Sequence, residues 1–156
     1  IGETAWIPFV TAGVGNLMGG VVFSALLRLG VRTETTRRIA ILIFSGLMVS
    51  AVFVGTLPGS AEYIALISIA TFGYCGALAN LLAVPGDVFP QGAVASILCF
   101  ARLGSGFGGM VFSLVTGWLV DRYSFQPVFV LFGILPVIAA LLVWTLPKKG
   151  YAESAA

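Results

Sequence analysis

The sequence predicts an all-α membrane protein of five transmembrane helices, and three observations carry that reading. The chain has 156 residues, of which 59% are hydrophobic and only 9% charged, and its mean hydropathy is +1.08, far from the balance of a water-soluble domain. Its apolar residues gather into five stretches, each near the roughly 20 residues that a bilayer core requires, divided by short polar breaks. The alternation of lipid-facing and polar positions that a membrane barrel would need is absent.

The first span is placed at Ala5 to Leu27 and gives way to Arg28. A second, Ile39 to Leu57, stops at Pro58, and a third runs from Tyr63 to Pro85. Beyond Pro90 the fourth span covers Gly92 to Val120 and ends at the charged Asp121-Arg122. The fifth, Pro127 to Leu146, is closed by Pro147, and Pro136 within it is expected to kink it. The chain opens at Ile1 with no charged n-region, short apolar core and cleavage site ahead of the first span, so no signal peptide is expected. It reads as a piece of a larger protein, a bundle incomplete at its N-terminus.

Histidine is absent, which removes the usual metal ligand and general base, and no Ser/His or Cys/His pair can be built. Enzymatic chemistry is not expected, nor is a cofactor or a metal. Cys75 and Cys99 fall inside spans and are read as small apolar core residues rather than a disulfide. The net charge of +2 is too small to argue for nucleic acid.

Cationic residues are unevenly placed. Arg28, Arg32, Arg37 and Arg38 fill the first loop and Lys148 and Lys149 follow the last span, whereas the opposite side carries only Arg122. The positive-inside rule therefore puts the Arg28 to Arg38 loop and the C-terminus in the cytoplasm. Trp6, Trp118 and Trp144, with Tyr63, Tyr123 and Tyr151, fall near span ends, as an interfacial aromatic belt would.

Gly19-Gly20-Val21-Val22-Phe23-Ser24 recurs as Gly108-Gly109-Met110-Val111-Phe112-Ser113. The copies lie on the first and fourth spans, which cross in opposite directions, an inverted repeat of the kind found in secondary transporters. At the same offset, Gly13, Asn16, Gly20 and Ser24 match Arg102, Ser105, Gly109 and Ser113, each set three or four residues apart. Each span thus has one polar, small-residue stripe, as a helix lining a cavity would present.

Arg102 is the sharpest single signal, because it lies about ten residues, or ~15 Å, into its span and so near the bilayer midplane. Against lipid it would cost at least ~2.5 kcal/mol, and no acidic residue lies deep in any span to pair with it. Its partner could be an anionic substrate, a carboxylate of a missing half, or carbonyls of a broken helix; alternatively it snorkels to the cytoplasmic headgroups. Asn16 and Asn80 either bond neighbouring helices or face a wet pathway. Tyr74 could hydrogen-bond a ligand, or pack.

Gly15/Gly19, Gly104/Gly108 and Ser105/Gly109 are small pairs at spacing four that let helices approach, and Gly104 to Gly109, lying mid-span, is no phosphate loop. Asp87, in the turn before the fourth span, is expected to cap that helix, the alternative being a pair with the arginines of the first loop.

Three stretches resemble the C-terminal half of a major facilitator superfamily transporter, in the anion:cation symporter branch that includes hexuronate and other sugar-acid carriers. Trp6-Ile7-Pro8 leading into Gly15-Asn16-Leu17-Met18-Gly19-Gly20 is similar to that branch's eighth helix. Leu27-Arg28-Leu29-Gly30 with Arg37-Arg38 resembles a degenerate copy of the superfamily's basic loop, though no Asp precedes the arginines. Asn80, Asp87-Val88-Phe89-Pro90 and Gly104 to Met110 resemble the tenth helix, its following loop and the eleventh.

The resemblance implies five helices, the eighth to the twelfth of twelve, of a six-helix inverted-repeat bundle, with an N-terminal helical half missing. It implies uptake of a small organic anion such as a hexuronate, with a proton or sodium ion, by alternating access, in a bacterial inner membrane. Arg102, Asn80, Asn16, Ser105 and Tyr74 are the candidate substrate-binding residues. The competing readings are a non-transporting membrane scaffold and a carrier of a neutral solute.

Overall fold

A computed structural model describes residues 6–55, 60–123 and 125–145. Five helices account for nearly all of them: α1 Ile7–Arg28, α2 Thr33–Leu47, α3 Ser60–Val88, α4 Gln91–Arg122 and α5 Gln126–Thr145. α2 continues directly as a 3₁₀ segment, Met48–Gly55. All five are long and apolar enough to cross a bilayer when α2 and its continuation are taken together, so the chain is an integral membrane protein. Ala5, Leu57, Pro58, Leu146, Pro147, Lys148, Lys149 and Tyr151, which entered the reading of spans, topology and belt, lie outside the described residues.

Two span boundaries move far enough to matter. α2 begins at Thr33, six residues before the expected Ile39, so Arg37 and Arg38 stand on its first turns and not in the loop. Gly30 makes that early start possible. It adopts φ +78°, donates its N–H to the Leu27 carbonyl at 3.0 Å, and lets Val31 reach back to Leu26 at 3.4 Å, the paired bonds of a Schellman terminus. α1 is thereby stopped within a few residues, and Glu34 in the first turn of α2 suits the positive end of that helix.

The other shift is at Pro85, expected to end the third span but lying inside α3, which runs on to Val88. Proline lacks only the N–H that would reach back one turn; its own carbonyl still accepts from Phe89 N–H at 3.0 Å. Asp87 consequently belongs to the last turn of α3. The residue at the head of α4 is Pro90, with extended backbone and no side-chain cap, so the expected capping role of Asp87 gives way to the pairing described below.

α2 and its 3₁₀ continuation form the spine, with Ala40, Ile41, Phe44, Met48, Ala51 and Val54 all buried. α3 lies against this spine through Gly76, where an added Cβ would strike the Phe44 ring, and through Gly73, where it would stand 2.6 Å from the Phe44 carbonyl oxygen. On its other side α3 receives α1. A Cβ at Gly15 would collide with the Phe72 carbonyl, and one at Gly19 would sit 2.8 Å from the carbonyl oxygen of Gly76. The Gly15/Gly19 pair is therefore a close-packing seam, as its spacing predicts.

α5 covers the 3₁₀ segment with Val128 and Gly133, and further along Ala140 is buried. α4 is the exception: among the described residues it contributes none to the buried core. It touches α5 through Phe112 and Phe132, whose rings meet edge to face at 5.4 Å. Gly104, Gly108 and Gly109 face open space, so the small-residue pairs of α4 have no counterpart within the described chain.

Filling the α1–α3 seam should separate those helices. Gly19→Val is expected to cost on the order of 1–3 kcal/mol, the usual range for overpacking, while Gly20→Val on the open face should be nearly neutral. Thermal unfolding of the detergent-solubilised protein compares the two, and equal melting temperatures would remove the seam from the account.

Candidate functional site

Beneath the α1–α3 seam lies a polar cluster built from three helices. Asn80 of α3 is 1% exposed, and in hydrocarbon a buried amide must satisfy both donors and its acceptor inside the protein. One N–H goes to the Gly19 carbonyl of α1 at 3.1 Å and the other to Gly76 of its own helix at 3.0 Å. Its Oδ1 accepts from Nη1 of Arg37 at 3.4 Å.

Arg37 then turns to the end of α3. Its Nε donates to Asp87 Oδ2 at 2.6 Å and its Nη2 to Oδ1 at 3.5 Å, a two-pronged ion pair between side chains only 12% and 23% exposed. The guanidinium also stacks 3.7 Å from the ring centroid of Phe23 on α1, a cation–π contact strengthened by the scarcity of water. One arginine therefore ties α1, α2 and α3 together near their common end.

The neighbouring arginine ties on the fifth helix. Arg38, 8% exposed, pairs with Glu34 one turn earlier at 2.9 Å and donates Nη1 to the Trp144 carbonyl at 2.9 Å. That carbonyl belongs to the last described turn of α5, where a cation suits the helix dipole.

The five candidate binding residues occupy four places, and only Arg102 and Ser105, one turn apart on α4, share a helix face. Asn80 is enclosed in the cluster just described, both of its donors taken by helix carbonyls. Tyr74, half exposed, lines two almost wholly apolar clefts of about 400 and 300 Å³ between α2, α3 and α5, beside Met48 and Phe132. Asn16, Arg102 and Ser105 are exposed: Asn16 on α1 makes one long bond to the Ala12 carbonyl, 3.4 Å, and Arg102 lines an open groove along α4 with Cys99, Gly106 and Phe107. The two polar stripes thus lie on the uncovered sides of α1 and α4, apart from Gly15 and Gly19, which the seam uses.

Arg102 has no acidic partner among the described residues. α4 has 32 residues, about 48 Å of helix, and its midpoint falls between Gly106 and Phe107, so Arg102 stands about 7 Å from that midpoint, toward the Gln91 end. The expected span, Gly92 to Val120, gives about 6 Å from its own midpoint, so the position is unchanged and lies within a half-core of about 15 Å.

Among the described residues no cluster could hold a metal, and Cys75 and Cys99 are free thiols. Arg37 and Phe23 were not singled out as a site by sequence reasoning. The available signal was the location of Asp87 at the same membrane edge as the arginines.

Five apolar helices, glycine-seamed, with charges paired at one edge and polar stripes on uncovered faces, define a polytopic helical membrane protein. The model of the Major Facilitator Superfamily matches residues 2–155, and the chain belongs to that family, one of transporters and not of enzymes. It is similar to the hexuronate transporter of Escherichia coli (strain K12), 26% identical over 142 residues, which covers 90% of this chain and 33% of the relative. It is also similar to the D-galactonate transporter of Escherichia coli O6:H1 (strain CFT073), 28% identical over 139 residues, 86% of this chain and 31% of the other. The chain spans about a third of the length of these relatives.

If the Arg37–Asp87 pair is a clamp, its two halves are not independent. Arg37→Ala and Asp87→Ala should each lower thermal stability, and the double variant should lose less than their sum, with a coupling of about 1–3 kcal/mol. Strict additivity in that cycle would show a pair without energetic weight.

Proposed function

We propose that this chain forms part of a secondary transporter that carries a small organic anion, a sugar acid such as a hexuronate or galactonate, by ion-coupled alternating access. The observation that carries the reading is Arg102, a guanidinium on an exposed face of a helix long and apolar enough to cross the membrane, with no acidic partner among the described residues. In so dry a setting an anion brought to that face gains far more from the charge than it would in water. The similarity to transporters named for hexuronate and D-galactonate supports the same substrate class.

In this reading Arg102 anchors the substrate carboxylate, while the Ser105 hydroxyl one turn along and the Asn16 amide offer hydrogen bonds to sugar hydroxyls. Asn80 and Tyr74 were candidates for the same role. The amide of Asn80 holds α1 against α3, acting on the substrate through the placement of Asn16, and Tyr74 serves the cleft beside α5. The face opposite Arg102 is supplied by a helical half beyond this chain, and a proton or sodium ion drives the cycle. The protein sits in a bacterial inner membrane with the Arg28 to Arg38 end and the C-terminus cytoplasmic, as the charge asymmetry suggests.

A non-transporting scaffold draws instead on Gly104, Gly108 and Gly109, which stand open on α4 as an association surface would. Uptake separates the two readings. The full-length protein in energised vesicles should accumulate radiolabelled glucuronate or galactonate, an uncoupler should abolish accumulation if protons drive it, and Arg102→Ala should cut uptake at least tenfold with membrane insertion unchanged. Undiminished uptake by Arg102→Ala would sink the assignment of that residue, and accumulation of neutral sugars alone would replace the substrate class.

A further inference from the structure

The continuation of α2 is unusual in its length. Runs of 3₁₀ helix beyond three or four residues are uncommon, because i to i+3 bonds have poorer geometry, and a mid-span stretch often marks a hinge. Here the run is eight residues, Met48–Gly55. Nothing in Met48-Val49-Ser50-Ala51-Val52-Phe53-Val54 forbids an α-helix: it contains no proline, and every residue keeps the N–H that would bond one turn back.

Burial changes period where the helix type changes. Along α2 the buried residues are Thr36, Arg38, Ala40, Ile41, Phe44 and Ser45, the last four at the spacing of an α-helix; beyond it they are Met48, Ala51 and Val54, three apart. Packing therefore selects the tighter winding. Two neighbours are shaped to it: a Cβ at Gly133 of α5 would strike Val52, and one at Gly73 of α3 would stand 3.3 Å from Met48 Cγ. The Ser50 hydroxyl lies within reach of Leu47 O at 2.8 Å, on its own helix, and of Leu66 O at 3.3 Å, on α3.

Space for a second winding adjoins the segment. The clefts of about 400 and 300 Å³ both border Met48, Tyr74 and Phe132, and the smaller one also borders Ala51.

We propose that Met48–Gly55 is a two-state segment, exchanging the 3₁₀ form described here for an α-helix continuous with Thr33–Leu47. Eight residues at 1.5 Å in place of 2.0 Å shorten that end of the span by about 4 Å, and the change from 120° to 100° per residue turns it by about 160°. Val52 leaves Gly133 in the rewound form and swings toward the face now held by Ala51 and Val54, where the clefts provide volume. The movement shortens one end of a span while the Arg37 and Arg38 contacts hold the other, and so opens or closes the bundle at that end. Its place in changing access rests on the transport reading; the existence of the two windings does not.

The test is a distance measured along one helix. In the full-length protein, with Cys75→Ala and Cys99→Ala, spin labels at Leu42→Cys and Phe53→Cys occupy exposed positions on either side of the junction. Double electron–electron resonance in lipid nanodiscs should resolve two populations, the longer being the 3₁₀ form, which gains about 3 Å along the axis and a further lateral separation from a turn of about 120° at Phe53. Gly133→Ala should deplete the longer one at least threefold, and Ser50→Ala should move the balance the same way, which keeps the test standing if Gly133→Ala fails to insert. A single population, or two that neither substitution shifts, overturns the proposal even where sugar-acid uptake is intact. Two shifting populations without uptake would uphold the segment and reject the transport reading.

Discussion

Asn80 makes the bond on which the arrangement of the first three helices depends. Hydrocarbon cannot hydrogen-bond an amide, so the side chain must find its partners in the protein, and it finds them on α1, on its own helix and on Arg37. The bond to Gly19 is short enough only because Gly19 and Gly76 bring two backbones together. Seam and amide thus require each other: without the glycines the amide could not reach, and without the amide the Gly19 carbonyl would lose its second partner. Arg37 closes the set by answering Asn80, Asp87 and Phe23 at once.

That tightness contrasts with α4. Three helices and the 3₁₀ segment share a core, α5 is fastened to them by Gly133 and by the Trp144 carbonyl, and α4 is held chiefly at its ends and through Phe112. A helix that carries an arginine, serines and open glycines along a lightly packed surface is suited to contacts outside the described chain. The same holds for the Asn16 side of α1, whose opposite side is spent on α3. Structure and polarity divide cleanly here, with committed polar groups at the Arg37 edge and uncommitted ones on the outward faces.

Helix number, order and approximate limits were legible in the sequence because hydropathy and length are set by the bilayer, which acts on every residue of a span alike. So was the Gly15/Gly19 seam, since spacing four needs only a neighbour. What the sequence left hidden were features decided by tertiary contact. Arg37 and Arg38 looked like loop residues because charge is normally expelled from a span, and only their partners, Asp87, Asn80, Glu34 and the Trp144 carbonyl, allow them onto a helix. Pro85 looked like a stop because the continuation it permits depends on its carbonyl and not on its ring. The 3₁₀ winding was invisible for a related reason, as the glycines that select it lie on α3 and α5.

The lengths of α4 and α5 carry a consequence of their own. α5, at 20 residues, is about 30 Å long and matches the hydrocarbon core when upright, whereas α4, at 32 residues, is about 48 Å and exceeds even the core with its headgroup layers. Standing along the bilayer normal, α4 would reach past the headgroups, so it crosses obliquely or projects beyond them. Mismatch of this sort costs fractions of a kcal/mol per ångström and is relieved by tilt. Because Arg102 stands only about 7 Å from the middle of α4, such tilt carries the helix ends through the headgroup layers while changing the height of that charge by no more than about 2 Å.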